Sequence, residues 1–348
     1  MHGCERAQQS MVVRACKSPA TRLLVGRKVP LNGVYIHILV ICTGISAEMT
    51  DLFGKSVAAM DIESRAIVPA RELGAYEALW AHEKTTFKSL ADLFRENPDS
   101  VPSDFVPPSE AEQYSRMALG TIREAGIKHF GIRVYGAGEY PATLREAAHP
   151  VQLLYYQGNW DISSTPCVAI VGTRKPTEAG REKARRLASS FVKHGFTVVS
   201  GLAEGIDTAA HTAAIEAKGL TIAIIGTPIT ACYPPENASL QRQIADDYLL
   251  ISQVPIVRYS RQTYRGNRLF FPERNATMSA LTRATVIVEA GNTSGTLIQA
   301  RHALQQGRTL FILNSCFDNP ELTWPQKFAA QGAIRVTHFQ EILSHLAS

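Results

Sequence analysis

The sequence is organised around a unit that repeats between residues 167 and 207. Two apolar runs, Cys167–Val171 and Phe196–Val199, each end in a glycine-containing turn that a helical pattern follows. Buried parallel strands are continuous apolar runs, and helices form the crossovers between them. The unit therefore predicts parallel strands whose glycine turns share the carboxyl edge of a sheet, where ligands bind in such folds.

The same alternation of apolar runs and helical patterns continues towards the end of the chain. An earlier run, Leu153–Tyr156, is predicted to add an extra strand to the same sheet. Together these patterns predict an α/β fold, an extended Rossmann-like, doubly wound and mainly parallel sheet. The later predicted strands are Thr221–Ile225, Tyr248–Ser252, Thr285–Val288 and Thr309–Leu313.

Composition and periodicity divide the 348 residues into three predicted regions. Residues 1–59 are predicted to be irregular or a non-native N-terminal extension, with translation starting at Met49 or Met60. Residues 60–126 have apolar residues at helical spacing and are predicted to form a small helical domain. Residues 127–348 are predicted to form the Rossmann-like domain.

Bulk composition excludes several classes of protein. The chain is 45% hydrophobic and 19% charged, as is ordinary for a soluble globular protein, and its net charge is +5. The apolar run Val34–Cys42 is too short to span a bilayer, so no membrane association is predicted, although a signal peptide remains an alternative. Six widely spaced cysteines without a CxxC pair indicate neither a zinc site nor a disulfide scaffold, and they favour the reducing cytoplasm.

Three glycine turns are candidates for binding an anion. Backbone N–H groups at glycine turns and at helix N-termini attract phosphate. The alternative is that these glycines only allow tight turns between strand and helix, and the absence of a GxGxxG motif argues against an ordinary dinucleotide site. The candidates are Gly172, Thr173, Arg174 and Lys175 in the first turn, Ser200, Gly201, Gly205 and Asp207 in the second, and Ser294, Gly295 and Thr296 in the third.

Three titratable residues near these turns allow more than one interpretation. Asp207 is placed to be a helix N-cap, and a lone histidine such as His211 is more often packed or hydrogen-bonded than catalytic. Glu289 ends a predicted strand and could be catalytic, but no nucleophile with suitable spacing accompanies it. The sequence also contains no metal-ligand cluster, so no metal or cofactor is predicted.

The segment Pro255–Arg283 differs from the rest in composition and is predicted to be a long loop. Guanidinium groups bind phosphates and aromatic rings stack on bases, so the segment is typical of a groove for single-stranded nucleic acid. The alternative is a solvated basic loop whose aromatic residues cover the sheet. Its arginines are Arg258, Arg261, Arg265, Arg268, Arg274 and Arg283, and its aromatic residues are Tyr259, Tyr264, Phe270 and Phe271.

Several separated motifs, over about residues 130–335, resemble the DNA-processing protein A (DprA, or Smf) family and occur in the family's order. They are Val171-Gly172-Thr173-Arg174-Lys175-Pro176, Ser200-Gly201-Leu202-Ala203-Glu204-Gly205-Ile206-Asp207-Thr208-Ala209-Ala210-His211, Tyr233-Pro234, Phe271-Pro272-Glu273-Arg274-Asn275 and Ser294-Gly295-Thr296-Leu297-Ile298.

The resemblance implies a homodimeric single-stranded DNA-binding protein that helps to load the RecA recombinase during natural transformation, without catalysis and without a cofactor. It implies that Gly172, Thr173 and Arg174 hold DNA phosphate and that Ser294–Thr296 form the third turn. It also implies that the second turn is shaped by Ser200, Gly201, Gly205 and Asp207, with Arg274 and Asn275 at the rim of the pocket.

The chain departs from the family pattern at two positions. The family commonly has arginine where this chain has Glu204, and a second basic residue where it has Ala276. Both changes weaken the attraction for phosphate, and Arg265 and Arg268 are candidates to compensate. The alternative function is a Rossmann-type nucleotide sensor or a phosphoribohydrolase-like enzyme using Glu289, although the PGGxGT turn usual in such proteins is missing.

Overall fold

The computed structural model of the protein describes residues 24–31, 34–42, 64–137, 139–145, 147 and 149–347. The strands of this part are β1 (Leu24–Leu31), β2 (Val34–Cys42), β3 (Ser64–Ala66), β4 (Gly131–Val134), β5 (Leu153–Gly158), β6 (Cys167–Val171), β7 (Thr197–Ser200), β8 (Thr221–Ile225), β9 (Leu249–Ser252), β10 (Ala284–Ile287), β11 (Thr309–Leu313) and β12 (Ile334–Val336).

Helices connect most of these strands. They are α1 (Pro69–Ala81), α2 (Phe87–Glu96), α3 (Pro108–Glu124), α4 (Ala142–Arg145), α5 (Glu178–Lys193), α6 (Ile206–Glu216), α7 (Ala238–Asp247), α8 (Ile256–Arg261), α9 (Tyr264–Asn267), α10 (Phe270–Ala280), α11 (Thr296–Gln305), α12 (Asn314–Phe317), α13 (Trp324–Ala329) and α14 (Phe339–Ala347).

A nine-stranded sheet forms the centre of the fold, in the order β12-β11-β10-β6-β7-β8-β9-β5-β4. The strands from β12 to β9 are parallel, whereas β5 and β4 join the edge in antiparallel pairing. The predicted α/β class is confirmed, and Leu153–Tyr156 lies within the extra strand β5. The strand order reverses between β6 and β10, and this is the point where open α/β sheets form their ligand crevice.

Both faces of the sheet are covered, which explains the unbroken apolar strand sequences. All five residues of β6 are buried. On one face Val168 and Ile170 pack with side chains of α5, α6 and α14, and on the other Ala169 and Val171 belong to a cluster that includes residues of α10, α11 and α13. Such double burial removes apolar surface on both sides of each strand, the dominant stabilising contribution in this kind of fold.

The N-terminal region contains β-strands where the structure describes it. The strands β1 and β2 pair in antiparallel fashion, and β3 pairs with β2. Within the predicted N-terminal extension, residues 1–59, the described residues are those of β1 and β2. Met49 and Met60 lie outside the described residues. In the ranges that are described, every helix is too short or too polar to cross a bilayer.

The predicted long loop at 255–283 is largely helical and forms α8, α9 and α10. Local signals account for this: Pro255 precedes α8, and the Thr263 side chain caps α9 by accepting from the Gly266 N–H. Phe270 is buried, with its ring centroid 5.8 Å from that of Trp80. Tertiary packing thus converts a segment without a clear apolar period into three short helices.

The helical region packs on the sheet through α1. A side chain of α1 caps the start of α8, and a side chain of α8 caps the end of α1. The buried carboxylate of Glu77 accepts from the backbone N–H groups of Ile256 (2.7 Å) and Val257 (3.0 Å), which start α8. It also accepts from the hydroxyl of Tyr155 at 2.5 Å. Burial raises the pKa of Glu77, and these three hydrogen bonds oppose that shift.

The C-terminal end of α1 is closed by Arg258, which belongs to α8. Its guanidinium donates to the carbonyls of Trp80 (3.1 Å), His82 (3.1 Å) and Thr85 (2.9 Å). A cation at carbonyl groups of a helix end satisfies acceptors that have no partner in the helix. Arg258 therefore joins the helical region to the sheet and is not free to bind a ligand.

We predict that Glu77→Leu lowers the free energy of unfolding by roughly 2–6 kcal/mol, because two buried N–H donors lose their acceptor. Glu77→Gln keeps an acceptor oxygen and should lose less. Urea unfolding measures the difference, with the exposed residue Glu112→Leu as control. Wild-type stability in Glu77→Leu would contradict the capping role.

Candidate nucleic-acid interface

The three glycine turns are in direct contact at the reversal point of the sheet. The Thr173 N–H donates to the Glu289 carbonyl at 2.7 Å, and the Ile206 N–H donates to the Thr173 carbonyl at 3.3 Å. The Thr296 hydroxyl donates to the Gly172 carbonyl at 2.9 Å. The first turn therefore lies between the other two, as the carboxyl ends of neighbouring parallel strands require.

Two glycines allow this close approach of the turns. A Cβ on Gly172 would lie 2.5 Å from Cγ1 of Ile206 and 2.9 Å from the Glu289 carbonyl oxygen. Gly205 has φ of +86°, and a Cβ there would lie 2.5 Å from the Thr173 carbonyl oxygen. Both glycines allow the backbone to pack closely, so the alternative interpretation of tight turns applies to them. This close packing determines the position of Thr173 at the surface.

The polar groups of the second turn are turned inward. The Ser200 hydroxyl donates to the Ile170 carbonyl at 2.7 Å. Gly205, and not Asp207, is the N-cap of α6, and the buried Asp207 carboxylate accepts from the N–H groups of Gly201 (3.1 Å) and Ala203 (3.3 Å). Burial raises the pKa of Asp207, a shift opposed by the charge of Arg274 and by these hydrogen bonds.

Arg274 lies beneath the pocket, which corrects its predicted place at the rim. Its Nη1 donates to the carbonyls of Gly201 (2.5 Å) and Ile224 (2.7 Å), and the residue is 5% exposed. A side chain at Gly201 would collide with this guanidinium. Burial lowers the pKa of Arg274 to about 10, against the opposing effect of Asp207. Arg274 is thus a buried support for the second turn.

Asn275 and the third turn lie at the rim. The Asn275 side-chain amide donates to the Gly295 carbonyl at 3.3 Å, which joins α10 to the third turn. Ser294 accepts from the Thr296 N–H at 3.2 Å and donates to the Thr296 hydroxyl at 2.9 Å. Ser294 and Gly295 remain partly or fully exposed, whereas Thr296 is buried.

Arg174 is the exposed cation of the first turn, and it lies against two aromatic rings. Its Cζ is 5.8 Å from the ring centroid of Tyr233 and 5.9 Å from that of Phe271. Gly226 makes room for Phe271, since a Cβ there would lie 2.6 Å from the ring. These three residues, Arg174, Tyr233 and Phe271, are called the Arg174 cluster below. Lys175 is exposed beside it.

Sequence reasoning did not assign Tyr233 to the site, although a signal for it existed. Tyr233 follows β8 at the carboxyl edge of the sheet, beside the strand that bears the second turn. Residues in that position line the crevice of a doubly wound sheet, so the position of Tyr233 after β8 was sufficient to suggest a role.

The arginines of the segment 255–283 do not form one groove. Arg258 and Arg274 are engaged with backbone carbonyls, and Arg261 lies over Tyr114 of α3. The backbone N–H of Arg283 donates to the carbonyl of Cys167 at the start of β6. Arg283 therefore lies at the amino edge of the sheet, opposite to the three turns. Arg265 and Arg268 are exposed near the Arg174 cluster, and neither forms an ion pair in the described part of the chain.

The two residues considered for catalysis have structural partners. Glu289 accepts from the N–H (3.0 Å) and hydroxyl (2.7 Å) of Thr177, the N-cap of α5. His211 is fully buried, and its Nδ1 is 2.7 Å from the Thr221 hydroxyl. Among the described residues, no three His, Cys, Asp or Glu side chains are grouped so that they could hold a metal.

A family model and curated relatives identify the family of the chain. The sequence model described as DNA recombination-mediator protein A matches residues 131–347. Protein Smf of Synechocystis sp. is 37% identical over 214 residues, which cover 60% of this chain and only 52% of that protein. The DNA processing protein DprA of Bacillus subtilis is 33% identical over 229 residues, 66% of this chain and 74% of that protein.

Two solved structures resemble the fold. DprA from Streptococcus pneumoniae superposes with a TM-score of 0.57 and 27% identity, covering 78% of this chain and 92% of that one. DprA from Helicobacter pylori, whose structure is described for its single-stranded DNA binding mode, gives a TM-score of 0.53 and 26% identity, covering 63% and 96%.

We predict that His211 makes the fold sensitive to acid. Burial lowers the pKa of His211 to about 3, whereas an unfolded histidine titrates near 6.5. The unfolded chain therefore binds a proton that the folded chain excludes, and the contribution of His211 to stability falls by about 1.4 kcal/mol per pH unit as pH drops from about 6.5 towards 3.

This prediction is tested by urea unfolding at several pH values. The variant His211→Gln should show a shallower dependence on pH below 6.5. An unchanged pH dependence in His211→Gln would show that other groups cause the sensitivity.

Proposed function

The chain belongs to the DNA recombination-mediator protein A family, and from this premise we propose that it is a single-stranded DNA-binding protein of DNA uptake and natural transformation, acting in RecA-mediated recombination without catalysis. The observation that carries the proposal is the Arg174 cluster. It places an exposed guanidinium against two aromatic rings at the carboxyl edge of a doubly wound sheet.

The chemistry of the Arg174 cluster suits a nucleic acid strand. Arg174 and Lys175 supply positive charge for phosphates, and the partly exposed rings of Tyr233 and Phe271 offer faces for bases. The Thr173 hydroxyl, which accepts from the Lys175 N–H at 3.2 Å, and the exposed third turn extend this polar surface on either side. Duplex DNA hides its base faces, so the rings favour a single strand.

The alternative of a nucleotide-handling enzyme is less well supported. A general base needs a carboxylate within reach of the substrate, and both oxygens of Glu289 accept hydrogen bonds from Thr177. This arrangement gives Glu289 a structural function at the start of α5. It supports the proposal that the protein acts by binding.

The proposal also includes a homodimer, a partnership with a RecA recombinase and a cytoplasmic location. The first two rest on the family resemblance alone, and they are measurable by light scattering and by co-sedimentation with RecA filaments. The location is supported by free thiols at Cys167, Cys232 and Cys316, which suit a reducing compartment.

We predict that Arg174→Ala weakens binding of an oligo-dT strand by about 10- to 100-fold, as expected for the loss of a charged hydrogen bond. The slope of log affinity against log salt should fall by about 0.7 to 1, because one phosphate contact is lost. Arg174→Lys keeps the charge and should retain the slope while losing the planar contact with the rings.

Fluorescence anisotropy at several salt concentrations measures these effects. Arg283→Ala is the matched control, since it removes an exposed arginine at the opposite edge of the sheet. If Arg283→Ala and Arg174→Ala reduced affinity and slope equally, the site would not lie at the Arg174 cluster.

We predict that the negative charge of Glu204 lowers the affinity for the oligo-dT strand. Glu204 is exposed in the second turn, next to Gly205, which packs against the Arg174 backbone. Glu204→Gln should raise affinity about two- to fivefold by removing a repulsive surface charge. Glu204→Arg should raise it further and steepen the salt slope by about 0.7. The control is Asp161→Asn, an exposed carboxylate just before β6, and a fall in affinity on removing Glu204 would contradict the prediction.

A further inference from the structure

The segment Tyr264–Leu269, called here the α9 finger, exposes apolar side chains beside cations. Tyr264 is 66% and Leu269 is 71% exposed. In the described part of the chain only two other large apolar side chains are comparably exposed, Val68 at 46% and Leu220 at 40%. Two such residues within six positions form a small surface that water solvates poorly, which marks it as a contact surface.

The α9 finger is continuous with the Arg174 cluster. The N–H of Phe271, a member of that cluster, donates to the carbonyl of Arg268 in the α9 finger at 3.4 Å. Its neighbour Tyr233 raises the pKa of Tyr264, and the positive charges of Arg268 and Arg174 oppose that shift. The α9 finger therefore adjoins the Arg174 cluster, and most of Tyr264 is exposed to solvent.

Hydrogen bonds hold the backbone of the α9 finger in place. The Asn267 side-chain amide donates to the Tyr259 carbonyl at 3.0 Å and accepts from the Gln262 side chain at 3.0 Å. The N–H of Leu269 donates to the Gly266 carbonyl at 3.1 Å. Because the backbone is already fixed, Tyr264 and Leu269 would lose little conformational freedom on contacting a ligand.

We propose that Tyr264 and Leu269 form a base-contacting surface for single-stranded nucleic acid, with the Tyr264 ring stacking on a base and Leu269 wedging between neighbouring bases. The proposal rests on the function proposed above and adds the residues that select a single strand over a duplex. Paired bases stack on one another and leave no face for this surface, whereas an unpaired base offers one.

Charge complementarity favours nucleic acid as the occupant over an apolar protein segment. Arg265 and Arg268 lie between the two apolar residues in the chain, each next to one of them, and both are exposed. Guanidiniums next to a stacking ring supply positive charge for the phosphates of a strand whose bases the ring contacts. A protein partner would need acidic residues opposite Arg265, Arg268 and Arg174 together.

The test compares three probes of equal length: oligo-dT, an abasic strand with the same phosphates, and a duplex. Tyr264→Leu removes the ring and should weaken oligo-dT binding about tenfold, since base–aromatic stacking carries energy of that order. Binding of the abasic strand and of the duplex should be unchanged, and so should the salt slope. Tyr264→Phe keeps the ring and should bind oligo-dT more tightly than Tyr264→Leu does.

Leu269→Ser should likewise weaken binding of oligo-dT and spare binding of the abasic strand. The matched control is Leu220→Ser, an exposed leucine just before β8, at the amino edge of the sheet. A 2-aminopurine in the strand gives a second readout, because stacking on Tyr264 quenches its emission and Tyr264→Leu should restore it.

The outcomes separate this proposal from the function on which it rests. If the wild-type protein binds no oligo-dT at low salt, the proposed function is overturned and the base-contacting surface with it. If oligo-dT binds and Arg174→Ala weakens it, but Tyr264→Leu and Leu269→Ser do not, only the base-contacting surface is overturned. Equal losses for oligo-dT and the abasic strand also overturn it, since bases would then contribute nothing.

Discussion

The candidate site depends on the close backbone contact between the first turn and its two neighbours. The Thr173 backbone donates to Glu289, which follows β10, and accepts from Ile206 at the start of α6, so residues on both sides fix its position. Gly172 and Gly205 permit this contact because neither has a Cβ. A turn held in this way presents Arg174 at a defined place, and the aromatic residues around it can then pack against a stationary guanidinium.

The buried charges of the site support its backbone, whereas the exposed charge is available to a ligand. Arg274 and Asp207 are buried and hold the second turn through backbone carbonyls and N–H groups, with each charge partly offsetting the desolvation of the other. Arg174 remains exposed and keeps its donors for a ligand. A buried ion costs several kcal/mol unless it is paired and hydrogen-bonded, which explains why Arg274 has backbone acceptors in addition to Asp207 nearby.

The sequence was sufficient to predict the sheet, its extra strand β5 and the meeting of the three turns. Those predictions depend on periodicity and on the rule that parallel strands end at one edge, and both are local or topological. It was not sufficient to distinguish Arg258 and Arg274 from Arg265 and Arg268. All four lie in one basic segment, but the carbonyls that bind the first two come from residues 80–85, 201 and 224, which only the folded chain brings near. The short strand β12 also escaped prediction, because three residues carry too little pattern.

The segment from α8 to α10 shows how the rest of the chain organises the exposed cations. Its start is anchored by Glu77 and Arg258, which exchange caps with α1, and its end is anchored by Arg274 beneath the second turn. Between these anchors the chain turns outward as the α9 finger. Because both ends are fixed to the core, the ring of Tyr264 and the guanidiniums of Arg265 and Arg268 reach solvent on a backbone that is already ordered. In the proposed function, a surface of that kind pays only the entropic cost of ordering the flexible strand. The helical region would then contribute to binding without touching the ligand.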